Sequence, residues 1–160
     1  MSEKQRTLSK SVHITGIGLH TGEKVDIEIC PADENFGYKF QRIDLDNQPI
    51  VKADVDLVVS TDRGTTLEKN GTRIYTTEHI LAALYGCQVD NALIKMNGPE
   101  VPIMDGSAKP FVDAILKTGF TDQDAERVLH TICDAALKAG GMQLFPIVNQ
   151  LVNSIKDKAE

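Results

Sequence analysis

Tryptophan is absent from this 160-residue chain, and aromatic residues make up only 5% of it. The three cysteines, Cys30, Cys87 and Cys133, are scattered and odd in number. That excludes a disulfide framework and a cysteine-type zinc cluster, and it points to a reducing, cytoplasmic setting. No apolar run reaches membrane-spanning length, so no transmembrane segment is expected. The opening stretch MSEKQRTLSK also lacks the apolar core of a secretory signal. A lipid substrate would therefore be met from the water side. Basic residues are outnumbered, with 17 Lys and Arg against 23 Asp and Glu, for a net charge of −6. A nucleic-acid surface needs clustered cations, so no nucleic-acid partner is expected. A local basic pocket for one phosphorylated ligand stays open.

What is present is globular composition, 41% hydrophobic and 25% charged, at a length suited to one domain with an appendage. The first hundred residues read as strands. Val12 and Ile14 alternate with polar neighbours, as do Val25, Ile27 and Ile29, then Tyr38 and Phe40 in GYKFQRID. IVKADVDLVVS continues the pattern through Val51, Ala53, Val55 and Leu57. TTLEKNGTRIYT is a hairpin by its chemistry, because Asn70-Gly71 supplies the positive φ angles of a type I′ turn. A helix from Glu78, a strand in NALIKMN and a second helix ending at Gly119 complete the series. The predicted fold is α+β, a mainly antiparallel sheet with helices packed on one face.

After residue 120 the texture changes, and residues 121–160 read as a helical hairpin appended to the α+β domain of residues 1–120. Thr121 and Asp124 form a variant capping box. Ala125, Val128, Leu129, Ile132 and Ala136 make one apolar stripe, which Gly140-Gly141 ends, and a second stripe follows Pro146.

Four segments carry candidate chemistry. TGIGLHTG holds Gly16, Gly18 and Gly22, but the spacing is not that of a phosphate loop, and a strand follows where a helix would be needed. It reads as a tight connection, with His20 at the surface. In TTEHILAALYG, Thr77 is the expected N-cap, and Glu78 and His79 fall in the first helical turn. They look like a general base next to a metal ligand, although a glutamate there is also favoured by the helix dipole and an isolated pair is a weak signal. Neither the zincin motif nor its inverted form is present, since Tyr75 stands where the latter needs histidine. NGPEVPIMDGSA is a rigid loop, with Ser107 as a helix cap and Asp105 as a candidate support for a site. In the tail, His130 and Asp134 stand at i and i+4, a spacing that suits two ligands of one metal and equally an exposed pair beside a core stripe.

Together, TGIGLHTG, STDRGTTL, TTEHILAALYG and DNALIKMNGPEVPIMDGSAKPFVDAI resemble, in this order, the first domain of the LpxC family over residues 5 to 120. That family comprises the UDP-3-O-acyl-N-acetylglucosamine deacetylases, zinc amidohydrolases of lipid A synthesis. GYKFQRIDL looks like the versions fused to a hydroxyacyl-carrier-protein dehydratase. The resemblance implies Zn²⁺ as cofactor, His79 as a metal ligand, and Glu78 as the general base acting on a zinc-activated water. It implies UDP-3-O-acyl-N-acetylglucosamine as substrate and places His20 near the same cleft. Family members carry a second domain that supplies the other ligands and a histidine that acts as an acid or oxyanion stabiliser, and no such domain is recognisable here. The resemblance therefore implies a chain that is incomplete alone, needing a separate second deacetylase domain or a site rebuilt with His130 and Asp134. The alternative is a non-catalytic binding or interaction module derived from half of that enzyme.

Overall fold

The computed structural model describes residues 4–127. Its central feature is a five-stranded sheet of β2 (Val12–Ile17), β3 (Lys24–Pro31), β4 (Tyr38–Arg42), β5 (Ile50–Lys52) and β9 (Ala92–Met96), in the order β2-β3-β9-β4-β5. Only the β4–β9 pair is parallel. Alternation decides which face is buried. Along β3, Val25, Ile27 and Ile29 are buried while Lys24 and Asp26 are exposed. Register then stacks Ile27 on Met96, Ile29 on Ile94 and Phe40 on Ile94, a continuous apolar layer across three strands. Helices α1 (Glu78–Gly86) and α2 (Lys109–Leu116) contribute Ile80, Ala83, Leu84, Phe111 and Ile115 to the same core. The α+β reading and its mainly antiparallel sheet are thus observed.

A three-stranded sheet of β6 (Val58–Ser60), β7 (Thr66–Lys69) and β8 (Thr72–Ile74) precedes α1. Its β7–β8 turn is the expected hairpin, with Asn70 at φ 51° and Gly71 at φ 79°. The long strand expected in IVKADVDLVVS is broken into β5 and β6. The Asp54 carboxylate accepts from the Asp56 N–H at 3.2 Å and starts a 3₁₀ turn over Val55–Leu57. A short polar side chain that bonds its own backbone competes with a sheet ladder and wins here.

Two strands were not foreseen. β1 (Lys4–Leu8) pairs antiparallel with β10 (Phe120–Glu126) as a separate ribbon. The helix expected to start at Thr121 is therefore corrected: residues 121–126 are extended. Thr121 Oγ1 lies 3.0 Å from Ser9 Oγ, and the Asp124 N–H donates to Glu34 Oε1 at 2.6 Å. A capping box contributes only about 1 kcal/mol, less than a strand ladder with these cross-links. Buried polar groups fasten the ribbon to the sheet. Asn91 Nδ2 donates to Gln5 Oε1 and Gln123 Oε1, each at 2.8 Å, and Arg127 grips Asp90 at 2.8 to 3.1 Å. The rest of the expected hairpin, with His130, Asp134 and Cys133, lies outside the described residues. No helix among the described residues is long and apolar enough to cross a membrane.

Candidate active site at the start of helix α1

Chain geometry just before α1 is unusual. Thr76 is buried at φ 59°, a region that β-branched residues avoid, and such strain concentrates at functional positions. Thr77 occupies the expected N-cap position, but its hydroxyl donates to the Thr65 carbonyl at 3.1 Å and makes no cap bond. The helix start is thereby tied to the β6–β7 loop. Glu78 is half-buried, and its Oε2 accepts from the Thr65 N–H at 2.9 Å. Gly64, at φ 129°, leaves room for the carboxylate: a Cβ there would lie 3.0 Å from Glu78 Oε1. Among the described residues no donor is bonded to Oε1, so one oxygen is fixed and the other is available.

His79, next along the helix, is also half-buried. Its Nδ1 is the one buried side-chain nitrogen or oxygen without a hydrogen-bond partner among the described residues. An orphaned buried polar atom costs roughly 1–3 kcal/mol. A metal-ligating histidine normally engages a partner through its second ring nitrogen as well. The described residues leave this Nδ1 free to take a cation or a hydrogen-bond partner. No cluster of three or more His, Cys, Asp or Glu that could hold a metal exists among the described residues. Among the described residues, His79 therefore has no set of neighbouring ligands with which to hold a metal.

His20 does come to this region, through the backbone. Its Nε2 lies 2.8 Å from the Arg63 carbonyl oxygen, one residue before Gly64. A carbonyl only accepts, so Nε2 carries the proton. The turn bearing His20 is held by Glu100, which sequence reasoning missed. Glu100 has 0% exposure. Its carboxylate accepts from the His20 N–H at 3.1 Å, the Thr21 N–H at 2.8 Å and the Thr76 hydroxyl at 3.0 Å. Burial pushes the Glu100 pKa up, but hydrogen bonds from Thr21, His20 and Thr76 outweigh it and hold the carboxyl below the usual glutamate value. The only sequence signal was a glutamate between two prolines in NGPEVP, which reads equally as a surface loop.

Two other candidates take structural roles. Asp105 is exposed and accepts from the Ser107 N–H and hydroxyl at 3.0 and 2.7 Å, closing a turn. Ser107 Oγ in turn accepts from the Lys109 N–H at 3.1 Å, one residue before the Ala108 cap position. An open cleft of about 620 Å³ is lined by Asp33, Glu34, Asn35, Asp122, Gln123 and Asp124. It contains none of the residues around Glu78, and its side chains cross-link the β1–β10 ribbon.

The sequence pattern of the LpxC family, UDP-3-O-acyl N-acetylglycosamine deacetylase, matches residues 5–144. The UDP-3-O-acyl-N-acetylglucosamine deacetylase of Methylococcus capsulatus is 48% identical over 124 residues, covering 78% of this chain and 41% of that protein. The bifunctional enzyme LpxC/FabZ of Bacteroides thetaiotaomicron is 48% identical over 129 residues, 81% of this chain and 28% of its own length. Its counterpart in Chlorobaculum tepidum is 48% identical over 120 residues, covering 75% and 26%. The chain thus spans between 26% and 41% of these relatives.

Proposed function

The chain belongs to the LpxC family of UDP-3-O-acyl N-acetylglycosamine deacetylases, and from that premise we propose that it forms one wall of a zinc-dependent amidohydrolase site. The reaction proposed is removal of acetate from UDP-3-O-acyl-N-acetylglucosamine in lipid A biosynthesis. The observation that carries this reading is the buried, partnerless Nδ1 of His79, next in sequence to Glu78, whose carboxylate has one committed oxygen.

His79 would hold the metal as one ligand of several. Bound there, zinc would supply Lewis acidity, polarising the acetamide carbonyl and acidifying water. Glu78 is the proposed general base, taking the proton of the attacking water onto Oε1 while the Thr65 N–H keeps Oε2 in place. Holding one oxygen fixes the carboxylate plane before substrate arrives, so little reorganisation is left for the reaction. The departing amine needs a proton from an acid, which we assign, with the remaining zinc ligands, to a second deacetylase half. Cys30 and Cys87 are free, buried thiols, in keeping with the cytoplasmic location we propose.

The test combines metal analysis with reconstitution. The purified chain is mixed with a separately expressed second deacetylase domain, and zinc content and deacetylation are measured. The reading expects zinc in the mixture, its loss on His79→Ala, and turnover that Glu78→Ala lowers by roughly 10²–10⁴-fold with zinc retained. Absence of zinc above background in the mixture, or turnover indifferent to Glu78→Ala, would overturn it.

A further inference from the structure

Glu100 is a fully buried carboxylate that no lysine, arginine or histidine side chain pairs with among the described residues. Burying an unpaired charge is costly, so an anion in this position must be matched by fixed dipoles. Here the match comes from successive backbone N–H groups of His20 and Thr21, a small anion-binding concavity, and from the Thr76 hydroxyl. Gly18 is part of the fit: a Cβ there would stand 2.5 Å from Glu100 Oε2 and would also strike Thr21 Oγ1. Any other residue at position 18 would require the Glu100 carboxylate or the Thr21 hydroxyl to shift.

Two routes lead from this carboxylate to Glu78. Through Oε1 it holds Thr76, the strained residue two positions before Glu78. The chain around Thr76 is braced further by the Tyr75 N–H donating to the Pro99 carbonyl at 2.8 Å and the Val101 N–H to the Tyr75 carbonyl at 3.0 Å. The other route runs through the turn. Glu100 fixes the His20 backbone, the His20 Nε2–H holds the Arg63 carbonyl, and the next two residues supply the space at Gly64 and the Thr65 N–H that receive the Glu78 carboxylate. A single buried group thus bonds directly to Thr76 before the helix start and, through His20, acts on the loop facing it.

We propose that Glu100 is a positioning residue for Glu78, locking the His20 turn and Thr76 together so that the Arg63–Thr65 segment orients the Glu78 carboxylate. Its catalytic meaning rests on Glu78 being the base, but the mechanical coupling does not. Glu100→Gln keeps the shape and removes the charge; its amide oxygen still accepts, but its NH2 group stands where the other oxygen was and cannot accept from the donors there.

The experiment uses the full chain, isotope-labelled, in nuclear magnetic resonance without metal or substrate. In the wild type, the His20 ring is expected in a single state with a proton on Nε2, held by the Arg63 carbonyl. In Glu100→Gln both tautomers should be populated, and the Thr65 amide should shift while the amides of Phe40 and Ile94 in the sheet stay in place. A Glu100→Gln protein whose His20 tautomer and Thr65 amide match the wild type would overturn the proposal. Should that variant fail to fold, Thr76→Val removes only the hydroxyl donor, and Gly18→Ala presses on the carboxylate from the other side. Wild-type Thr65 and His20 signals in both would likewise overturn it. In the reconstituted deacetylase, Glu100→Gln should lower kcat by about 10–10²-fold with little change in KM. A chain that shows the spectral coupling, but whose mixture with the second deacetylase domain holds no zinc above background, would refute the functional assignment and leave the positioning role standing.

Discussion

Replacing Gly64 by alanine tests the geometry around Glu78 most directly, because two costs fall on one methyl group. The backbone at φ 129° lies where side-chain-bearing residues are rare, and strain of that kind costs about 1–3 kcal/mol. The new Cβ would also stand 3.0 Å from Glu78 Oε1 and 3.6 Å from Oε2. The carboxylate must give way by a few tenths of an ångström, weakening a charged hydrogen bond to Thr65 that is worth roughly 1.5–3 kcal/mol. The half-buried loop relaxes in part, so the expected loss is about 2–4 kcal/mol. Gly71→Ala is the control, since Gly71 also has positive φ (79°) but nothing within 4 Å of its Cβ position. It should cost only the backbone strain, about 1–2 kcal/mol. Urea unfolding of both variants, each alone and combined with Glu78→Ala, isolates the contact as a coupling energy. The excess at Gly64 should vanish when Glu78 is truncated, while Gly71→Ala should be indifferent to it. A Gly64→Ala penalty that is unchanged in the Glu78→Ala background would refute the claim that this glycine makes room for the carboxylate.

Other outcomes follow from the same coordinates. The Glu100 carboxyl is held below its ordinary value in the folded state, so its stabilising contribution is complete above the unfolded glutamate pKa and is lost as pH falls through the folded one. The stability gap between wild type and Glu100→Gln, followed by urea unfolding from pH 7 downward, should therefore stay constant at neutral pH and narrow under acid conditions. A gap that widened on acidification would contradict that sign. Asp90→Ala should destabilise the fold by about 2–4 kcal/mol, because Arg127 and the Arg6 N–H both lose the same carboxylate. Adding Arg127→Met should recover part of the loss in the same unfolding assay, and strictly additive effects would argue against the pair acting as a unit. Burial pushes the Cys87 thiol up to about 11, so alkylation of Cys87 at pH 8 should be slower than in the unfolded chain by orders of magnitude. Labelling at the unfolded rate would show that the helix end is open.

Legibility in the sequence followed the range of each interaction. The Asn70-Gly71 hairpin, the alternation in β3 and the helix at Glu78 are local patterns and could be read directly. The β1–β10 ribbon could not. Its inward positions include Gln5 and Gln123, which bond Asn35, Asn91 and Ala32, so the alternation is of amides with charges and shows no apolar period. A capping pattern at Thr121 then pointed to a helix that long-range pairing overrides.

The site divides the same way. Residue types and order were sufficient to single out Glu78 and His79 as base and ligand candidates and to identify the family, because those features are carried by neighbours in the chain. Tertiary structure alone decided what surrounds them. The hydrogen bonds that join His20 to Arg63 and to Glu100 span 43 and 80 residues, and no local spacing encodes such pairings. It is chain folding that brings a buried carboxylate, a strained threonine and a positive-φ glycine against the Glu78 carboxylate to one helix start, and that leaves His79 with a nitrogen still to be satisfied.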